Sequence, residues 1–165
     1  MAGGPGSYVF GAEEKKELMD VIENASLVRY GTPGVDGFQG KVATFEKEIA
    51  EQLGHKYVVA TSSGTGSLMC CLAALGIGMG DEVIVPGYTF IASISTIAMM
   101  NAVPVLAEID DSLTIDPTKI EALITPKTKA IMPVHMLGNP CKMDEILAIA
   151  KKHNLFVIED CCQAV

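Results

Sequence analysis

The sequence predicts an α/β protein built on a three-layer, open and mostly parallel sheet of the doubly wound type. From Lys56 onward, short apolar runs alternate with stretches of helical periodicity, as in successive β-α-β units. The apolar runs are continuous rather than interrupted by polar residues, which indicates strands covered by helices on both faces. A composition that is 49% hydrophobic and 19% charged is typical of a folded chain.

The N-terminal part of the chain is expected to hold a helix and then a loop. The helix should start after Gly11, where acidic residues favour a helix N-terminus. Its apolar face would contain Leu18, Ile22 and Ala25. The segment Arg29–Gly40 has the composition of a loop.

A second helix is expected at Lys41–Leu53, because apolar residues recur there with helical spacing and Gly54 provides a stop. The side chains predicted to point inward are those of Val42, Phe45, Ile49 and Leu53. Residues 1–40 are therefore interpreted as an N-terminal helix and loop segment, and residues 41–165 as part of the main domain.

The alternating region gives five strands and four helices. The predicted strands are Tyr57–Ala60, Glu82–Val85, Val103–Ala107, Lys129–Val134 and Leu155–Glu159. The predicted helices are Thr65–Leu75, Thr89–Met100, Pro117–Ile124 and Lys142–His153. Asp116 before Pro117 is expected to be an N-cap, and Asn154 is expected to be a left-handed C-cap.

Composition also excludes several classes of partner. Twelve basic against twenty acidic residues give a net charge of −8, which argues against a nucleic acid or an anionic membrane as partner. No apolar run approaches the roughly 18 residues of a membrane span, and the N-terminus has no secretion signal. The five cysteines have neither a disulfide framework nor metal-site spacing. We therefore expect reduced thiols, a cytoplasmic protein and no metal.

Ligands of open parallel sheets bind beyond the carboxyl ends of the strands, so site residues are expected in the segments that follow the strands. After the first predicted strand, hydroxyls and glycines run from Thr61 to Ser67 at a predicted helix N-terminus. Free backbone N–H groups there can bind a phosphate, and Gly64 and Thr65 are the candidate residues. The run matches neither the dinucleotide nor the ATP loop motif. An ordinary Ser/Thr cap with a tight glycine turn is the alternative.

Two further segments carry an aromatic and a carboxylate. Phe90 follows the second predicted strand and could stack on a flat ring, although a core phenylalanine is the alternative. Glu159 and Asp160 end the fifth predicted strand and point to opposite faces, so only one can address a ligand. Asp160 is chosen for the site and Glu159 as a structural partner, while solvation at a loop entrance is the alternative. His135, after the fourth predicted strand, is a weak signal that one hydrogen bond would explain.

The three candidate features are more informative together than each is alone. A phosphate cradle, an aromatic platform and a carboxylate are expected at one edge of one sheet. Pyridoxal 5'-phosphate has a matching phosphate tail, a flat ring and a pyridine nitrogen that a carboxylate keeps protonated. The residues therefore predict this cofactor.

At these positions the sequence resembles the pyridoxal-phosphate-dependent sugar aminotransferases of fold type I, the DegT/DnrJ/EryC1/StrS family. The matching runs are Ser62–Leu68, Gly80–Pro86, Thr89–Ser93, Val103–Val105, Glu108–Asp110, Pro133–His135 with Gly138, and Glu159–Ala164. Within the family, His135-Met136, the Arg29–Gly40 loop and the helix start Lys142–Ile146 are most similar to members that aminate an eight-carbon sugar acid.

The resemblance implies a role for each matched position. Gly64 and Thr65 would hold the phosphate, Phe90 would stack on the ring, Asp160 would pair with the pyridine nitrogen, and Gln163 would contact the phenolic oxygen. It also implies transfer of an amino group from an amino acid, glutamate in our expectation, to a keto-sugar or nucleotide-linked keto-sugar. A homodimer is the implied assembly, and residues 41–165 would form the first part of the cofactor-binding large domain.

The resemblance also implies that the Schiff-base lysine and the small C-terminal domain of the family lie beyond residue 165. Lys127, Lys129 and Lys142 lack the motif that surrounds that lysine, so none of them is assigned the role. The 165 residues alone are therefore expected to be inactive. Two alternatives stay open: a sugar dehydratase of the same family, with histidine at the lysine position, and a non-catalytic α/β binding module.

Overall fold

A computed structural model describes residues 9–24, 27–32, 34–35 and 37–164. The described residues form two compact units, one that ends at Ala60 and one that begins at Thr61. The expected domain limits, 1–40 and 41–165, concern the complete protein and stay predictions.

The first unit contains both of the helices predicted for it. Helix α1 spans Ala12–Glu23, and helix α2 spans Lys41–Leu53 between two glycines in left-handed conformation. These are Gly40, with φ 65°, and Gly54, with φ 70°, so Gly54 ends the helix as expected.

The apolar faces of these helices are not buried as predicted. Leu18 and Ile22 of α1 are each 65% exposed, and Ala25 lies outside the described residues. On α2, Val42, Phe45 and Leu53 are exposed, and only Ile49 is half-buried. The expected inward orientation of Val42, Phe45 and Leu53 is therefore wrong for the described chain, because neither helix contains a buried residue.

The predicted strand Tyr57–Ala60 is not a strand. A strand requires hydrogen bonds to a neighbouring strand, and in the described part of the chain residues 57–60 have no strand conformation. The backbone of Ala60 bonds to side chains instead: its N–H donates to Glu46 Oε1 (2.8 Å), and its carbonyl accepts from Arg29 Nη1 (2.6 Å). Arg29 and Glu46 also form an ion pair with each other.

The described residues of the second unit form four α-helices and four strands, which alternate along the chain, and a short 3₁₀ helix at Met136–Gly138. The helices are α3 Gly64–Ala74, α4 Ile91–Met99, α5 Pro117–Ile120, which continues as a 3₁₀ turn to Leu123, and α6 Met143–His153. The strands are β1 Glu82–Pro86, β2 Val103–Ala107, β3 Thr128–Ile131 and β4 Phe156–Val157. The predicted caps are confirmed: Asp116 Oδ1 accepts from the Thr118 N–H (2.9 Å), and Asn154 has φ 55°.

The strands form one parallel sheet in the order β2-β1-β3-β4. Successive residues of β1 point to opposite faces. Val83 and Val85 pack with Leu72 and Ile97 of α3 and α4, whereas Ile84 packs with residues of α5 and α6. The sheet is therefore covered on both sides, and the predicted three-layer α/β fold is confirmed.

The last two strands are shorter than predicted. Pro133 has no N–H, so the ladder of β3 does not continue regularly through it. The Asp160 N–H still donates to the Pro133 carbonyl (2.9 Å), and the His135 N–H donates to the Asp160 carbonyl (3.2 Å). These two bonds hold the segments after β3 and β4 together at the carboxyl edge of the sheet.

Candidate functional site

The turn before α3 leaves two backbone amides free. Ser63 is the N-cap, and its Oγ accepts from the Gly66 N–H (3.0 Å). Among the described residues, the N–H groups of Gly64 and Thr65 have no hydrogen-bond acceptor. The serine cap expected as the alternative is present, and it leaves two donors at the positive end of the helix for an anion.

The turn is in close contact with the segment after β4. A Cβ atom built on Gly64 would lie 2.5 Å from Cys162 Sγ, a separation that real Cβ atoms do not adopt. Glycine at position 64 is therefore required by the cysteine beside it. This contact places the two free amides next to the residues that follow Asp160.

Phe90 is not a core residue. It is the N-cap of α4, with an extended backbone, and it is 65% exposed. The helix starts two residues later than the predicted Thr89, and the Thr89 hydroxyl bonds to the Ser93 hydroxyl (2.9 Å). The exposed ring leaves the stacking role open to Phe90.

Asp160 is a buried carboxylate held by two donors. Only 5% of the residue is exposed, which contradicts the alternative of a solvated loop entrance. Oδ2 accepts from the Ser93 hydroxyl (2.7 Å), and Oδ1 accepts from the Cys162 N–H (3.1 Å). Each carboxylate oxygen has a second acceptor site, so the group can still receive a hydrogen bond from a ligand N–H.

The thiol of Cys162 lies beside this carboxylate. Its hydrogen bond with Asp160, and to a lesser extent burial, raise the pKa of Cys162 to about 11. The thiol is therefore protonated at neutral pH and is not a nucleophile.

His135 and Glu159 form a structural pair. His135 is buried, its Nδ1 accepts from the Cys141 N–H (3.0 Å), and its Nε2 lies 3.1 Å from Glu159 Oε2. Because Nδ1 accepts, the proton is on Nε2 and is donated to Glu159. Both ring nitrogens are thus used within the fold, which is the simple explanation expected from the sequence.

Gln163 bonds to the turn that follows β3. Its Oε1 accepts from the Leu137 N–H (2.8 Å), and a Cβ on Gly138 would lie 3.3 Å from the Gln163 carbonyl oxygen. Since Oε1 is engaged, the amide NH₂ is the part of the side chain available to a ligand. An NH₂ group is a suitable donor to a phenolic oxygen.

The structure brings the five predicted residues to the carboxyl edge of the sheet and adds one that the sequence analysis missed. Gly64 and Asp160 are connected through Cys162, and Asp160 is connected to the first turn of α4 through Ser93. The spacing of four between Thr89 and Ser93 was the signal that could have identified Ser93, because it places two hydroxyls on one side of a helix start.

The described residues contain neither a candidate metal centre nor a candidate membrane span. Among the described residues, no three His, Cys, Asp or Glu side chains lie close enough together to hold a metal ion. Within the same part of the chain, no helix combines the length and apolar character needed to cross a membrane.

Comparison with known proteins finds similar sequences and similar solved structures, and three of them illustrate the likeness. The GDP-perosamine synthase of Caulobacter vibrioides is 50% identical over 125 residues, which are 75% of this chain and 34% of that protein. The X-ray structure of an aminotransferase from Psychrobacter cryohalolentis matches with a TM-score of 0.85 and 43% identity, over 94% of this chain and 38% of that one. The structure of NtdA from Bacillus subtilis with bound cofactor PMP matches with a TM-score of 0.76 and 38% identity, over 91% of this chain and 34% of that one.

The chain thus spans about a third to two fifths of the length of these relatives. The family model of the DegT/DnrJ/EryC1/StrS aminotransferases matches residues 11–165. Because that match covers nearly the whole chain and the relatives agree with it, the chain belongs to the DegT/DnrJ/EryC1/StrS aminotransferase family.

Proposed function

We propose that this chain is the N-terminal part of a pyridoxal-phosphate-dependent aminotransferase. In this proposal the complete protein transfers an amino group from an amino acid, glutamate in our expectation, to a keto-sugar or nucleotide-linked keto-sugar. The observation that carries the proposal is the buried Asp160 carboxylate, held by Ser93 and Cys162 at the same sheet edge as the free amides of Gly64 and Thr65. Membership of the family supports it.

The phosphate would bind at the start of α3. The amides of Gly64 and Thr65 offer two donors, and the dipole of an eleven-residue helix favours a negative charge there. The Thr65 hydroxyl can add a third donor.

The ring would lie between Phe90 and the carboxylate of Asp160. An exposed aromatic at a helix start can stack on one face of a planar ring. The ionised Asp160 would hold a proton on the pyridine nitrogen, because a nearby negative charge raises the pKa of that nitrogen. Gln163 would donate from its NH₂ group to the phenolic oxygen.

When bound, pyridoxal phosphate supplies an electron sink for proton transfer at the carbon that gains or loses the amino group. The amine that performs this proton transfer is a lysine that we place outside these 165 residues. Lys142 is unsuited to the role, because its Nζ donates to Asp110 Oδ2 (2.8 Å) in an ion pair at the start of α6. We therefore propose that these residues alone are inactive.

The substrate class rests on the relatives. The name of the Caulobacter protein describes the synthesis of a nucleotide-linked amino sugar, GDP-perosamine. A relative from Aneurinibacillus thermoaerophilus, 51% identical over 126 residues, is a dTDP-3-amino-3,6-dideoxy-alpha-D-galactopyranose transaminase. Both names contain a nucleotide-linked sugar, and the second names a transaminase, which supports a keto-sugar as the acceptor of the amino group. The eight-carbon sugar acid, the homodimer and the cytoplasmic location remain proposals.

The test replaces Asp160 in the complete protein. Asp160→Asn keeps the shape of the side chain but removes the charge and replaces one acceptor oxygen with an NH₂ group, so we expect turnover to fall by about 100-fold or more while the cofactor stays bound. Glu159→Gln is the matched control, since Glu159 pairs with His135 instead, and its activity should stay near that of the wild type.

Near-normal turnover in Asp160→Asn would overturn the role of this carboxylate. A complete wild-type protein that takes up no pyridoxal phosphate would overturn the proposed function itself. A histidine at the position of the missing lysine would favour the dehydratase instead.

A further inference from the structure

The hydroxyl of Ser93 is fully buried and bonds to two other side chains. It lies in the first turn of α4, 2.7 Å from Asp160 Oδ2 and 2.9 Å from Thr89 Oγ1. A buried hydroxyl is retained in a fold when its hydrogen bonds are satisfied, and these two partners satisfy it. Asp160 is 67 residues away in sequence, so this contact joins two distant segments.

The Asp160 carboxylate sets the donor and the acceptor in both hydrogen bonds of Ser93. An ionised carboxylate only accepts, so the Ser93 hydroxyl donates its proton to Asp160. Ser93 Oγ is then left as the acceptor for the Thr89 hydroxyl. The result is a chain of two bonds, from Thr89 to Ser93 and from Ser93 to Asp160.

We propose that Ser93, oriented by Thr89, is a positioning residue that fixes the Asp160 carboxylate against the pyridine nitrogen of the cofactor. This inference rests on the proposed function. Oδ2 is held by Ser93 and Oδ1 by the Cys162 N–H, so the carboxylate cannot rotate about its Cβ–Cγ bond without breaking one of the two bonds. Ser93 itself touches neither substrate nor cofactor in this scheme.

Loss of the Ser93 hydroxyl has a defined consequence. Asp160 Oδ2 would lose the hydrogen bond from Ser93 in a buried site, and the carboxylate would be free to turn towards other partners. Its separation from the pyridine nitrogen would increase, and the pKa of that nitrogen would fall. The bound cofactor would then lose part of its ring protonation at neutral pH.

The test loads the complete protein with ¹⁵N-labelled pyridoxal phosphate and measures the chemical shift of the pyridine nitrogen by NMR as a function of pH. In Ser93→Ala we expect the shift to move towards that of the unprotonated ring at neutral pH. We also expect kcat to fall about 10-fold to 100-fold while KM for the amino donor changes little. Ser93→Thr, which keeps a hydroxyl, should restore the wild-type shift, and Thr89→Val should move it by a smaller amount in the same direction.

Ser95→Ala, the same change two residues further along α4, is the matched control and should leave the shift unchanged. If Ser93→Ala does not fold, Ser93→Cys keeps the volume with a weaker donor and is measured in its place. If the variant at position 93 gives the wild-type chemical shift of the pyridine nitrogen, the inference is overturned. A lowered melting temperature with that shift would show that the role of Ser93 is merely structural. Failure of the wild type to bind the cofactor would instead overturn the proposed function and this inference with it.

Discussion

Cys162 Sγ lies in the space that a side chain at position 64 would occupy, 2.5 Å from a Cβ built on Gly64. The contact joins the first residue of α3 to the segment after β4, two residues beyond Asp160. Because Cys162 also donates its N–H to Asp160, one residue contacts both the turn at the start of α3 and the carboxylate. The two halves of the proposed cofactor site are therefore held together by a packing contact as well as by the sheet.

Gly64→Ala should lower both stability and cofactor affinity. The added methyl group would overlap Cys162 Sγ, and overpacking of this kind costs about 1–3 kcal/mol. In the double variant Gly64→Ala/Cys162→Ala the sulfur is gone, and the nearest remaining atom of residue 162 is its Cβ, at 3.9 Å. Thermal unfolding and cofactor titration of the complete protein would measure both effects.

We expect the double variant to recover most of the stability lost in Gly64→Ala, with Cys162→Ala alone as the reference. Equal losses in the single and double variants would contradict this account of the glycine.

Phe90→Ala should weaken cofactor binding with little effect on folding. The ring is 65% exposed, so its removal leaves no buried cavity, but the stacking surface is lost. Phe156→Ala is the comparable control, because Phe156 is 49% exposed and begins β4 at the other end of that strand from the site. We expect the dissociation constant, followed by fluorescence, to rise several-fold only in Phe90→Ala. Equal dissociation constants in the two variants would exclude the stacking role.

The pair formed by Lys142 and Asp110 should make stability depend on pH. A hydrogen bond from Lys142, helped by Ser112, lowers the pKa of Asp110 to about 2. A carboxyl whose pKa is lower in the folded state stabilises that state above its unfolded pKa of about 3.9, and this contribution is lost as the pH falls towards 2. The contribution is therefore complete near neutral pH.

Lys142→Gln should consequently lower the melting temperature at neutral pH, and the difference from wild type should shrink between pH 4 and pH 2. The effect should also weaken in high salt, since the pair is exposed. Lys151→Gln, at a lysine without an ion pair among the described residues, is the control. A difference that stays constant down to pH 2 would contradict the assignment.

Features set by neighbouring residues were predictable from the sequence. Asp116 before a proline, the glycine after α2 and Asn154 after a basic helix end each determine a local conformation, and all three lie where expected. The continuous apolar runs likewise predicted the covered sheet, because a strand that is buried on both faces consists mainly of apolar residues.

Features that depend on distant partners were not predictable. Tyr57–Ala60 has the composition of a strand but has no strand conformation in the described part of the chain, and the apolar α2 face with Phe45 is exposed. Ser93 looked like an ordinary helix residue, because its partner Asp160 is reached only through the fold. Periodicity and composition describe a segment but not what lies against it.

The central claim is that Asp160 faces the ring nitrogen of a pyridoxal phosphate anchored at Gly64 and Thr65. A crystal structure of the complete protein with this cofactor tests it most directly, through the distance between the Asp160 carboxylate and the pyridine nitrogen. We predict a charge-assisted hydrogen bond of about 2.7–2.9 Å, with the phosphate on the two amides. A phosphate bound elsewhere, or an Asp160 carboxylate turned away from the ring, would contradict the account.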